Sequence, residues 1–237
     1  VPISDLHVGD SNFNYKKFIG YRDWIITTPN AFTIWNGDLG NIALKDSKSD
    51  VYLDVLNPAQ QLERLEELLK PLAPLTLSAT DGNHEWRIKR SCGLDITQML
   101  CRNLGVPYNG SEAFLKLSFG SKPKNGKPVV YVLYHTHGFS NGRTKGAKVN
   151  GLDALTKIVE ADVYVGSHVH FEDAHKDCIF LPDLHNNNLI PTKRVFCTSG
   201  AYLDRGGYSV EKCYPPPVIG SPRLRLDATK KDCHCSI

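Results

Sequence analysis

Gly82-Asn83-His84-Glu85 is the stretch whose reading decides the fold of this chain. It follows the apolar run Leu75-Thr76-Leu77-Ser78-Ala79 and precedes the polar segment Trp86-Arg87-Ile88-Lys89-Arg90, so it reads as a strand delivering polar side chains into a turn. The glycine allows close backbone approach, and an amide oxygen beside an imidazole suits a borderline metal ion near phosphate. Four further clusters repeat the layout, each placing carboxylates or imidazoles at the end of an apolar run. They are Asp5-Leu6-His7, Gly37-Asp38, His135-Thr136-His137-Gly138 and Gly166-Ser167-His168-Val169-His170.

Working outward, 237 residues with a hydrophobic fraction of 41% fit one α/β domain spanning 1–237 rather than two. The formal charge of +3 permits a polyanionic substrate but falls short of a dedicated nucleic-acid binder. No apolar run approaches the roughly 20 residues that cross a bilayer, which predicts a soluble chain with no membrane contact. Seven scattered cysteines do not make a disulfide framework, so a cytoplasmic location is expected. Cys233-His234-Cys235 has no second ligand pair at zinc spacing and is read as a C-terminal strand.

Along the chain, Val1-Pro2-Ile3-Ser4 reads as the end of a strand running into Asp5 and His7, which share a face if the period of two continues. Alone, the pair would read rather as a polar loop with a turn aspartate. Residues 11–23 read as a polar connection, and Ala31 to Asn36 as an apolar run ending at Gly37-Asp38, where the carboxylate is free to bridge two cations. Asn57-Pro58 opens a helix carrying Leu62, Leu65, Leu68 and Leu69 on one face, and a second helix runs from about Asp95 to Asn103 with Gly105 as its stop. Ala113 to Phe119 alternates as a half-buried strand, and Lys122 to Pro128 reads as a hairpin loop.

Val129 to Tyr134 is a buried strand leading to His135 and His137, of which only one need be a ligand; His137 is favoured because Gly138 marks where the chain leaves the strand. The segment Asn141 to Lys148 sets Arg143, Lys145 and Lys148 among small residues, a phosphate-contacting candidate that reads equally as a solvated flexible loop. A short helix over 151–160 precedes the strand Ala161 to Val165, and two histidines one residue apart after a strand-ending glycine point to metal binding. Strands at Arg194 to Thr198 and Arg223 to Asp227 complete the pattern.

Carboxylates, an amide and imidazoles without cysteine suit manganese first, with iron, zinc or nickel as alternatives. A two-metal site of this kind hydrolyses phosphate esters, with metal-bound hydroxide as the attacking group.

The ordered set Asp5-Leu6-His7, Gly37-Asp38, Gly82-Asn83-His84-Glu85, His137 and Gly166-Ser167-His168-Val169-His170 resembles the calcineurin-like metallophosphoesterases. The resemblance implies two mixed β-sheets packed as a sandwich and flanked by helices. It puts Asp5, His7 and His170 on one divalent ion, Asn83, His137 and His168 on a second, and Asp38 between them. His84 would be the catalytic group, contacting the substrate phosphate and assisting the leaving oxygen; Glu85 would orient the turn. The family's usual Gly-His-x-His is here Gly-Ser-His-Val-His, and no acidic partner for His84 stands out after Asp38. The expected activity is a phosphodiesterase or nuclease acting on a phosphoester, with nucleic acid or a nucleotide as candidate substrate. A phosphomonoesterase and a non-catalytic phosphate-binding module are the alternatives.

Overall fold

A computed structural model describes residues 1–237 except 46, 48–50, 121–127, 139–141 and 143, with Tyr208 described by its backbone only. The expected hairpin loop over 122–128 falls almost wholly outside the described residues.

Three short strands, β1 (Pro2–Ile3), β2 (Thr33–Asn36) and β3 (Thr76–Thr80), form an all-parallel sheet. A second sheet is mixed, in the order β4-β5-β6-β8-β7: β4 (Glu112–Phe119), β5 (Val129–Thr136), β6 (Val163–Gly166), β7 (Asp173–Asp183) and β8 (Asn188–Thr198). Within it β5, β6 and β8 run parallel, with β4 and β7 antiparallel at the edges. A two-stranded ribbon, β9 (Arg223–Leu226) and β10 (Cys233–Ser236), closes the chain, with Cys233 and Cys235 buried as the alternation requires.

The layers follow from where the apolar faces go. Ile34 and Leu77 of the parallel sheet meet Leu133, Val163, Val165 and Val195 of the mixed sheet, so the two sheets pack face to face. The outer face of the parallel sheet is covered by α1 (Tyr15–Thr27), α2 (Pro58–Leu69) and α4 (Ile96–Leu104), which bury Phe18, Ile25, Leu65, Leu69 and Leu100. On the far side, Tyr134, Tyr164 and Phe196 are covered by Leu152 of α5 (Lys145–Asp153) and Leu155 of the 3-10 turn that follows. The fold is therefore the expected α/β sandwich, one of its sheets being purely parallel.

Two helices depart from the sequence reading. The expected connection over 11–23 is helical from Tyr15 onward: Asn14 caps α1 by accepting from the Lys17 amide, and Phe18 and Ile25, seven residues apart, bury one face. The expected helix over 151–160 begins earlier, at Lys145, where Thr144 caps it, so the second half of the presumed flexible loop is helical. Asn57 and Pro58 do start α2, with a reciprocal capping box between Asn57 and Gln60. Among the described residues no helix is long and apolar enough to cross a membrane.

Candidate metal centre

The motif at 82–85 is not a strand exit into a turn but the first turn of a helix, α3 (Asn83–Cys92), with Gly82 at its N-cap. Glu85 explains the difference, because its carboxylate folds back to accept from the Gly82 amide at 3.0 Å. The same carboxylate accepts from the amides of Asp38 and Gly40, each at 3.0 Å, and so ties the β2 and β3 exits together. Burial and the nearby Asp38 charge raise the pKa of Glu85 to about 7. The two exits nearly touch: a Cβ on Gly82 would lie 2.1 Å from Asp38 Oδ1, and Gly37, at φ +80°, has Gly82 N at 2.5 Å from its own Cβ position.

The expected sharing of a face by Asp5 and His7 does not come from strand pleating. β1 stops at Ile3, and both residues adopt positive φ, 49° each. Asp38, His168 and His170 do the same, so five of the seven candidate ligands occupy a conformation that costs L-residues energy. The turns at Asp5 and His7 are held by amides that pair across strand exits, Asp5 N to Gly37 O and His7 N to Asp38 O at 3.1 Å each.

The side chains converge in two groups that share Asp38. In the first, His170 Nε2 lies 3.1 Å from both Asp5 Oδ1 and His7 Nε2, and His7 Nε2 lies 4.0 Å from Asp38 Oδ2. In the second, His137 Nε2 lies 3.1 Å from Asp38 Oδ2 and 3.2 Å from the exposed Asn83 Oδ1, with the His168 ring packed edge-on against His137. Within each group, the ligand atoms of Asp5, His7 and His170 on the one hand and of Asp38, His137 and His168 on the other lie within 4.8 Å of one another.

This donor set fits divalent cations. His137 Nδ1 donates to Asn36 O at 2.8 Å, which leaves the Nε2 lone pair pointing at two oxygens. Acceptors facing acceptors need a cation between them. Without one, burial opposes charge on His137, but the Asp38 carboxylate and then Asp5 outweigh it and push its pKa up to about 10. Burial also opposes the Asp5 anion, and His170 and His137 nonetheless bring its pKa down to about 2. Asp5 Oδ1 is fully buried and has no aligned hydrogen-bond donor, as a reserved ligand atom would be.

His84 is buried beside this pair of groups, with Nε2 3.7 Å from Asp38 Oδ2. Its Nδ1 donates to the Asn41 carbonyl at 2.6 Å, and its Nε2 faces Arg87 Nη2 at 2.9 Å. The partner that orients the ring is thus a backbone carbonyl and not an acidic side chain. A grouping of His7, Asp38 and His84 is also compact, but there the Nε2 lone pair of His84 is engaged by Arg87. Burial, only partly offset by Asp38, holds His84 below the ordinary imidazole pKa.

His135 is excluded from the centre. It is fully buried, with Nδ1 2.9 Å from Asn36 Oδ1 and Nε2 2.9 Å from Ser78 Oγ, and burial lowers its pKa to about 3. It belongs to a buried polar seam that sequence reasoning missed: Asn36 donates to Ser167 Oγ, Ser199 links Ser167 to Ser4, and Ser4 donates to Asp5 Oδ2. Ser167, the departure from the family pattern, is a strut of that seam. Isolated serines and one asparagine carry no sequence signal of it.

Of the cationic candidates, Arg143 lies outside the described residues. Lys145 and Lys148 stand at the start of α5, with Nζ atoms 5.5 and 5.3 Å from the ring centre of Phe171, beside His170. Lys148 also donates to the Val169 carbonyl at 2.9 Å, which fixes the turn between His168 and His170.

No family model matches the chain, and no curated protein matches it. Among solved structures, it is similar to Vps29 complexed with zinc from Entamoeba histolytica, at 12% identity over 99% of this chain and 96% of that one, with a TM-score of 0.42. It is also similar to a metallophosphoesterase from Sphaerobacter thermophilus, at 12% identity over 86% of this chain and 76% of that one, TM-score 0.39. A third is nuclease MPE from Pseudomonas putida, at 13% identity over 99% and 86%, TM-score 0.39.

Proposed function

We propose that the chain is a calcineurin-like metallophosphoesterase that hydrolyses phosphodiesters with two divalent cations. The observation that carries this reading is Asp38, a buried carboxylate within reach of both ligand groups, His137 at 3.1 Å and His7 at 4.0 Å. Asp5, His7 and His170 would hold one cation, Asn83, His137 and His168 the other, and Asp38 both. Such a pair supplies Lewis acidity toward water and toward the phosphoryl group.

The remaining chemistry belongs to side chains already in place. Asn41 fixes the His84 ring so that Nε2 faces the centre, and Arg87 stands 2.9 Å from that nitrogen. A phosphoryl oxygen entering there meets the Arg87 guanidinium and, once its charge draws a proton onto His84 Nε2, an imidazolium beside it, a pairing that favours charge developing on a leaving oxygen. Glu85 holds Asp38 and Gly82 through their amides and takes no part in proton transfer. Lys145 extends the positive charge on the opposite flank.

Elemental analysis of protein reconstituted with Mn²⁺, paired with hydrolysis of bis-p-nitrophenyl phosphate and p-nitrophenyl phosphate, tests the reading. Two metals per chain with preferential diester cleavage is the expected result. Preferential cleavage of the monoester would make it a phosphomonoesterase, and full metal occupancy without turnover of either ester a binding module. Failure to take up metal would overturn the assignment altogether.

A further inference from the structure

We infer that the outward stripe of α3 is a binding track for single-stranded nucleic acid leading away from the metal centre; this rests on the phosphodiesterase reading and names its substrate. The stripe follows from helical spacing. Asn83, Trp86, Arg87 and Arg90 stand at i, i+3, i+4 and i+7 and so share one face, while His84, Glu85 and Ile88 are buried on the other. The face thus begins at a candidate metal ligand and runs about 10 Å along the helix to a second cation.

Each position supplies one part of strand recognition. Arg87 is half-buried beside His84, where a scissile phosphate would sit. Trp86 is partly exposed one turn from Asn83, and the Arg90 guanidinium lies over its ring at 5.1 Å. Arg90 itself is exposed and has no carboxylate partner among the described residues, so its charge is available to a phosphate. Lys89 is also near the indole, at 5.8 Å, but its charge is neutralised by Asp95 at 2.5 Å. An aromatic ring flanked by arginines is the arrangement on which an unpaired base stacks while its neighbouring phosphates meet the cations. A duplex keeps its bases in the stack and offers no face to Trp86, which selects the single strand.

Fluorescence anisotropy of a fluorescein-labelled oligothymidylate, read in EDTA so that no strand is cut, tests the track on the full chain. Trp86→Ala and Arg90→Glu are each expected to weaken binding about tenfold, Trp86→Phe to retain most of it, and the wild-type affinity to fall steeply with salt. Unchanged affinity in both disruptive variants, or no binding by the wild type, would overturn the track. A parallel assay with Mn²⁺ compares kcat/KM on the oligonucleotide with that on bis-p-nitrophenyl phosphate. The ratio should fall about tenfold in Trp86→Ala; a parallel loss on both substrates would mean that the indole only supports the site. Oligonucleotide binding without turnover of any ester would count against the enzyme assignment and leave the track standing.

Discussion

Asp38 carries more of the site than any other side chain: Oδ1 accepts from the His84 amide at 2.8 Å while Oδ2 is turned toward His137, His84 and His7. Asparagine in its place keeps the shape but removes the charge that both ligand groups share. Asp38→Asn should therefore lose metal from both positions and lose turnover, read by elemental analysis and diester hydrolysis. Near-normal activity would show that Asp38 does not bridge. His84 presents the opposite case, since its ring nitrogens are engaged by Asn41 and Arg87. His84→Ala should slow hydrolysis about 10²–10⁴-fold at unchanged metal content, the range for a general acid or charge stabiliser; metal loss in this variant would make it a ligand instead. The candidate ligands and His84 could be picked out in the sequence, because each is polar and abrupt after an apolar run, whereas Asn41, which acts through its backbone carbonyl, carries no such signal. The backbone conformation of the ligands could not. Positive φ at Asp5 and His7 goes with amides paired to the neighbouring strand exit, and at Asp38 and His168 with amides held by the carboxylates of Glu85 and Asp5, tertiary effects with no local signature.

At the level of elements, α2 and α4 were legible because caps and apolar periodicity agree, Asn57 and Asp95 accepting from the amides of Gln60 and Gln98. α3 was harder to read: its charged face suggests a solvated segment, and only the Glu85 fold-back reveals a helix start. β7 was missed for another reason, since an edge strand half in solvent mixes Lys176 and Asp177 with Ile179 and Leu181 and shows no continuous apolar run. This strand nevertheless anchors α5. His175 Nδ1 lies 2.9 Å from Asp173 and Nε2 2.8 Å from Asp153, the last residue of the helix, with the ring stacked on Phe196. Burial opposes charge on His175, but its bonds to Asp173 and Asp153 outweigh that and raise its pKa above the ordinary 6.5. A raised folded pKa means that the charged clasp contributes fully below the unfolded value and is lost as pH rises through the higher folded one. The urea midpoint of the wild type should accordingly exceed that of His175→Phe by more at pH 5.5 than at pH 8.5. A difference that stays constant across this range would show that the imidazolium does not hold α5.

Across the whole molecule, the ligands leave the carboxyl ends of parallel strands in both layers: Asp5, His7, Asp38 and Asn83 follow β1, β2 and β3, whereas His137, His168 and His170 follow β5 and β6. A cation held by Asp5, His7 and His170, or one held by Asn83, Asp38 and His137, therefore joins the two sheets at one edge. The sheets are already joined along their faces by Ile34, Leu133, Val163, Val165 and Val195, an apolar contact that requires no metal. Chelation should for this reason lower stability without unfolding the chain. A ligand that binds only the folded state adds about 2.7 kcal/mol at a hundredfold excess over its dissociation constant. For a chain of this size that is worth roughly 5–10 °C in Tm per occupied site. Thermal unfolding should thus shift upward by at least this amount as Mn²⁺ is added to EDTA-treated protein, and Asp38→Asn should show little of the shift. An equal shift in the variant would place the stabilising ion elsewhere, and no shift in the wild type would mean that the strained strand exits are held by their amide pairing alone.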